Sequence, residues 1–168
     1  TFYASQSGCG FKFLFEHPDW LQRDFQYGNA LSTCCLNNPE WRAFFLKYIS
    51  DYVRETGVDG LQLDEAVFCG PRACGCAHCR AAFTRDTGIP WPSDDADSFF
   101  EFDTRRNTFK NDNDPRTARF IEWRSQAIVD FFVAVRKATQ AANPNLSLMI
   151  YSTHYGLTSD YAVRIGGG

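Results

Sequence analysis

Cys69, Cys74, Cys76 and Cys79 fall within eleven residues, in the pattern Cys-x4-Cys-x-Cys-x2-Cys. Thiolates this close together on a loop that enters a helix can converge on one tetrahedral Zn²⁺. Four such ligands close the site, which makes the metal structural and leaves it no part in any chemistry. Cys74, Cys76 and Cys79 are the tight core. The fourth ligand is open between Cys69 and either Cys34 or Cys35 arriving from an earlier loop, with His78 a weaker candidate. Free or disulfide-paired loop thiols are the competing reading, because the spacing is not the usual pair of Cys-x-x-Cys motifs.

The second group is acidic. In Gly57-Val58-Asp59-Gly60-Leu61-Gln62-Leu63-Asp64-Glu65, strand alternation sets Leu61 and Leu63 on one face and Gln62 and Asp64 on the other. If apolar helices cover the leucines, Asp64 ends the strand on the opposite face and Glu65 follows at the rim. Two adjacent carboxylates there are costly unless solvated, paired or used. The bland alternative is an Asp that caps a helix or pairs with a cation. His17, Gln62, Tyr151 and His154 are the candidate substrate contacts, with the aromatic faces and polar tips that suit sugar rings. Trp41 and Trp123 lie on helical stripes and read as core. Arg105, Arg106, Arg116 and Arg119 read as a solvated helix entry.

These residues need elements to hold them. Phe11 to Phe15 reads as a short buried strand, and Phe2 to Ser5 as a weaker one. Asn38-Pro39-Glu40 is a helix start, with a capping Asn, Pro in the first turn and an acidic neighbour. Trp41, Phe44, Phe45, Tyr48, Ile49, Tyr52 and Val53 follow at spacings of three and four, the stripe of a core-facing helix that ends at Gly57. Val58 to Asp64 is a strand. A short helix is expected from Ala77 to Asp86 and a long one from Asp114-Pro115 to Ala142, then a strand from Leu146 to Thr153. Residues 89–114 are polar and turn-rich, an excursion at one end of the fold.

Strands alternating with helices predict an α/β fold with parallel strands and helical crossovers, forming one domain over residues 1–168. An eight-stranded barrel needs about 250 residues in most cases, so three or four strands make this the middle part of a (β/α)8 barrel. A small open sheet is the alternative.

The 168 residues are 44% apolar, 22% charged and 16% aromatic, with a net charge of −3 and a pI near 5.6. So apolar a chain can bury a core, which excludes disorder. No apolar run approaches the roughly 18 residues of a membrane span, and no Lys/Arg cluster suits a nucleic acid or an anionic membrane. Seven cysteines cannot all pair internally, which leans towards a reducing, cytoplasmic interior but leaves the compartment open. Oligomeric state is not legible. The start at Thr1 and the Gly166-Gly167-Gly168 end suggest a piece of something longer.

Cys35-Leu36-Asn37-Asn38-Pro39-Glu40-Trp41-Arg42, the strand Val58 to Glu65, and Cys74-Gly75-Cys76-Ala77-His78-Cys79-Arg80-Ala81-Ala82-Phe83 together resemble α/β-barrel glycosyl hydrolases that neighbour the family 42 β-galactosidases. The likeness covers residues 15–155. Its Asp-Gly-x-x-x-Asp strand is also similar to the fourth strand of the α-amylase superfamily, which implies a nucleophile at Asp64. The Cys-x-Cys-x-x-Cys segment is similar to the family 42 zinc cluster, which implies ligation by Cys74, Cys76 and Cys79. Two features depart from these patterns: Asp64-Glu65 stands where related barrels carry Asn-Glu, and Gln62 stands where amylases carry Arg.

The resemblance implies hydrolysis of O-glycosidic bonds, a carbohydrate substrate and no cofactor for the chemistry beyond a structural zinc. Asp64 would be nucleophile or transition-state stabiliser and Glu65 the general acid/base, unless the second carboxylate lies on a later strand. The alternatives are a non-catalytic carbohydrate-binding or scaffold domain, and a zinc-dependent interaction module.

Overall fold

The computed structural model describes residues 2–5, 15–64, 66–92, 101–103, 105–106, 108–111 and 113–151. Chain order runs β1 (Phe2–Ser5), β2 (Leu21–Arg23), β3 (Ala30–Cys34), α1 (Pro39–Thr56), β4 (Gly60–Asp64), α2 (Ala77–Thr87), β5 (Phe102–Asp103), β6 (Thr108–Phe109), α3 (Pro115–Ala142) and β7 (Ser147–Tyr151). The strand order β1-β4-β7 makes a parallel sheet with β4 at its centre. Helix α1 connects β1 to β4 and α3 connects β4 to β7, the helical crossovers that parallel neighbours require.

The helix ends follow local chemistry. The Asn38 side-chain oxygen accepts from the N–H groups of Glu40 and Trp41 at 2.9 and 3.0 Å, satisfying two of the free donors of the first turn. Gly57 closes α1 with φ 66°, a left-handed conformation that a β-carbon would strain. Asp114 caps α3 by accepting from the N–H of Arg116.

Leu61 and Leu63 are fully buried in one core with Trp41, Phe45, Ile49 and Val53 of α1 and Phe131 and Val135 of α3. Trp41 stacks against Phe45 and Phe131 at 5.2 and 5.3 Å between ring centroids. The helices therefore cover the leucine face, as alternation predicts. Half-buried Gln62 lies in register with Tyr3 and Met149, and Met149 is 46% exposed.

Some expectations change. Phe15 is 80% exposed rather than part of a buried strand, residues 11–14 lie outside the described residues, and the first sheet strand is β1. The buried stripe of α1 is narrower than its apolar pattern, since Phe44 and Tyr48 are exposed. The antiparallel hairpin β2–β3 carries no alternation that predicts it. The polar excursion holds a hairpin of two two-residue strands, β5–β6. Trp41 and Trp123 are buried, as their helical spacing predicts. Among the described residues no helix is long and apolar enough to cross a membrane.

Candidate functional site

Both strand-to-helix connections leave the sheet at the carboxyl ends of their strands, where α/β folds bind ligands. The first carries hairpin β2–β3. The second carries the cysteine loop and α2. They dock on each other by main-chain bonds from the Phe25 N–H to Arg72 O at 2.9 Å and from the Gly75 N–H to Arg23 O at 2.7 Å. A β-carbon on Gly75 would stand 2.5 Å from the Phe25 Cα, so glycine between Cys74 and Cys76 is what permits the approach. Arg72 Nε reaches Asp24 Oδ2 at 2.9 Å across the same seam. Gln22, fully buried, completes it: its amide donates to Cys34 O at 3.1 Å and Val67 O at 2.8 Å, and accepts from the Cys69 N–H at 2.8 Å. Every polar group of that side chain is used, which is what burial demands.

The seam brings four thiols together. Cys35 from the first connection meets Cys74, Cys76 and Cys79 from the second, all four buried with their sulfurs within 4.8 Å of one another. The Cys35 Sγ lies 3.4 Å from those of Cys76 and Cys79 and 3.8 Å from that of Cys74. Tetrahedral ligands at a Zn–S length of about 2.3 Å stand about 3.8 Å apart, so the spacing suits a metal and is far too long for a disulfide. N–H donors aim at the sulfurs: Arg23 N at Cys74 (3.3 Å), Asn37 Nδ2 at Cys79 (3.3 Å) and Cys79 N at Cys76 (3.5 Å). Such donors stabilise thiolates. This cluster could hold a metal ion.

The fourth thiol is thus Cys35 and not Cys69, which is exposed and whose N–H is held by Gln22. Cys34 is buried as the last residue of β3 but outside the cluster, and His78 is exposed. The Cys69 spacing was misleading because four residues separate it from Cys74, while Cys35 arrives through a pairing of loops that spacing cannot express.

The sulfurs do not share charge equally. Hydrogen bonds with Cys74 and Cys76 push the Cys35 thiol well above the ordinary thiol range, and burial does the same for Cys79. The Cys76 thiol is pulled down, first by its hydrogen bond with Cys35 and then by those with Cys74 and Cys79. Its sulfur also caps the N-terminus of α2, where the helix dipole favours an anion. A dication entering the cluster would displace the remaining protons.

The acidic group is placed by its backbone. Asp64 is the last residue of β4, in register with Ser5 on one side and Tyr151, the last residue of β7, on the other. Three strands therefore end together at this point. Glu65 and His154 lie outside the described residues. His17 lies in the first connection, half-buried, its ring stacked on Trp20 at 4.0 Å. The structure thus brings Asp64 and Tyr151 to one sheet edge and puts His17 in the connection that leaves that edge. Gln22 and Asn37 were missed by sequence reasoning, since single polar residues in a three-residue strand and in a turn give no periodic signal.

Comparison with known proteins adds two findings. The family model described as Glycosyl hydrolase-like 10 matches residues 10–161. Among solved structures, the chain resembles the crystal structure of a beta-galactosidase from Bacillus circulans sp. alkalophilus, with a TM-score of 0.59 at 11% sequence identity. That match covers 87% of this chain but 26% of the beta-galactosidase chain, and at this identity it speaks for the fold alone. No curated protein matches the sequence.

Proposed function

The chain belongs to the glycosyl hydrolase-like 10 family, and on that premise we propose that it is part of a (β/α)8 barrel that hydrolyses O-glycosidic bonds of a carbohydrate. The observation that carries this reading is the position of Asp64, ending the central parallel strand beside Ser5 and Tyr151 at the edge from which both long connections depart. Glycosidases of this kind flank the scissile bond with two carboxyl groups across an oxocarbenium-like transition state. Asp64 serves as nucleophile or as stabiliser of the developing positive charge. Glu65 is the general acid/base; donating a proton near neutrality requires its pKa to be raised by its surroundings. His17, Gln62, Tyr151 and His154 contact the sugar.

The four-thiol cluster is, in this reading, a closed structural zinc site. It has Cys35, Cys74, Cys76 and Cys79 as ligands and no open position for substrate. When bound, the metal supplies rigidity: it clamps the two connections that flank the carboxyl end of β4. Sugar binding and proton transfer remain with the side chains named above.

The test uses the full-length protein with Asp64→Asn and Glu65→Gln, assayed on a panel of aryl glycosides beside calorimetry with the same sugars. Glu65→Gln is expected to lower turnover by about 10²- to 10⁴-fold, and Asp64→Asn at least as much, with sugar binding retained. Unchanged turnover in both overturns the assignment. Sugar binding without turnover in the parent protein marks a non-catalytic carbohydrate-binding or scaffold domain instead.

A further inference from the structure

Between β2 and β3 the hairpin turns through Asp24-Phe25-Gln26-Tyr27-Gly28-Asn29, and the turn is held at many points. Asp24 is buried, and its Oδ1 accepts from the N–H groups of Gln26 and Tyr27 at 2.8 and 2.9 Å. Main-chain bonds of 2.9 Å run from Gly28 N to Asp24 O and from Asp24 N to Asn29 O, so the loop closes on itself. The other carboxylate oxygen of Asp24, Oδ2, takes the Nε of Arg72 from the second connection. Beneath the turn Phe25 is buried, its ring edge-on to Phe120 at 6.0 Å. What these bonds hold out to solvent is one aromatic ring, Tyr27, 62% exposed. The Arg72 guanidinium lies over that ring, 5.0 Å from its centroid, and so covers one face.

Burial does not account for the ring, since most of it stays in water, yet the turn beneath it is ordered in advance. A tyrosine held this way is a rigid amphipathic plate, with a face for the C–H groups of a sugar and a hydroxyl for its O–H groups. A ligand that meets it costs the protein little further ordering. Polar groups stand around it: Arg72 Nη1 donates to Gln26 Oε1 at 3.4 Å. Among the described residues the Gln26 Nε2, the Arg72 Nη2 and the Tyr27 hydroxyl bond to no other group, which leaves three donors for sugar hydroxyls. We propose that Tyr27, with Gln26 and Arg72, forms an outer sugar subsite, where a unit remote from the scissile bond stacks on the free face of Tyr27, and that the substrate is therefore an oligosaccharide chain. The inference rests on the glycosidase reading. Tyr27 belongs to the connection that leaves β1 and Arg72 to the one that leaves β4 at Asp64, so the platform is assembled by both, on the carboxyl side of the sheet. Asp64 ends a strand whereas Tyr27 stands in a hairpin turn, and a substrate that touches both extends beyond the sugar being cleaved.

The test is kinetic, on the full-length protein, with the aryl glycosides of the panel above and linear oligosaccharides of the same sugars. The parent is expected to show a KM that falls as the oligosaccharide lengthens. Tyr27→Ala should raise the oligosaccharide KM relative to the aryl-glycoside KM roughly 3- to 10-fold with kcat held, the size expected for one aromatic contact. Tyr27→Trp, which offers a larger ring face, should keep the parent's KM or lower it. A ring needed only to seat Arg72 predicts another pattern, in which both substrates weaken alike and the denaturant midpoint drops. That pattern, or an unchanged oligosaccharide KM in Tyr27→Ala, overturns the subsite and leaves the hydrolase reading standing. So does a parent that cleaves aryl glycosides with no preference for length. A parent that cleaves neither is titrated with the oligosaccharides by calorimetry: binding that Tyr27→Ala weakens upholds the subsite alone, and no binding overturns both. Should Tyr27→Ala fail to fold, Tyr27→Leu takes its place, keeping apolar bulk against Arg72 while removing the ring.

Discussion

The sheet layer and the seam between the two long connections meet at the carboxyl ends of the strands, yet they cohere through different forces. In the layer, Leu61 and Leu63 share one buried core with Trp41, Phe45 and Phe131, and these side chains are apolar. Such packing is non-directional and indifferent to pH or chelators. In the seam, the contacts are directed: four thiols, the Gln22 amide, the Asp24–Arg72 pair and the Arg124 guanidinium. Each needs a specific partner, and losing one strands another in a buried place. The comparison teaches that the layer supplies a platform, while the seam is the part whose order can be tuned by metal, pH or a single substitution.

On the proposal that the four thiols hold a metal, its removal should break the comparison most sharply. Structural zinc contributes on the order of 10 kcal/mol in small zinc-binding peptides. A strong chelator, or Cys76→Ser, is expected to open residues 66–76 to proteolysis while helical circular dichroism stays largely intact. If helix content collapses together with the loop, the two regions are one cooperative unit. Because the Cys35 and Cys79 thiols are pushed up and hold their protons at neutrality, zinc must displace protons; its affinity should therefore fall as pH falls.

The reciprocal lesion lies in the layer. Trp41→Ala should cost about 3–5 kcal/mol in denaturant unfolding, independent of zinc, because it empties a fully buried site between two rings. Trp41→Phe should cost less, since among the described residues the buried indole N–H has no partner and its removal leaves nothing unpaired. A zinc-dependent penalty for either would contradict the division of labour.

Gln22→Leu probes the seam without touching a sulfur. It removes the hydrogen bonds to Cys34 O and Val67 O and leaves the Cys69 N–H without the Gln22 acceptor, at about 1–3 kcal/mol for that donor. Faster hydrogen exchange at Cys69 than in β4 is the expected signature.

The smallest effect concerns the cap of α3. Hydrogen bonds from Arg116 hold the Asp114 carboxyl below the usual carboxylate range. A depressed folded value means that its stabilisation is complete above the unfolded pKa of about 3.9 and is lost as pH falls through the folded one. Asp114→Asn should therefore flatten the acid limb of the melting temperature between neutral and strongly acidic pH. An unchanged limb would show that the cap contributes nothing through its charge.

Much of the layer is legible in the chain itself, because its information is local. Asn38-Pro39, Gly57 and Asp114-Pro115 mark helix ends within a few residues of their own hydrogen bonds, and the alternation around Leu61 and Leu63 reports a strand with one covered face. The apolar pattern overreached where it could not see exposure, at Phe15, Phe44 and Tyr48. Position 124 did carry a signal, a cation on an apolar stripe, but its meaning depends on what lies opposite.

Residue types and spacing determined the alternating α/β order, the helix boundaries, the position of Asp64 at a strand end and three of the four clustered thiols. Tertiary structure alone decided that Cys35 joins them rather than Cys69, that Gln22 clasps the segment after β4, and that Arg124 reaches the carbonyls of Gly70 and Pro71. The reason is distance along the chain: caps and periods act over one turn or two, whereas Cys35 and Cys79 stand 44 residues apart and meet only because two connections pack across the end of one sheet.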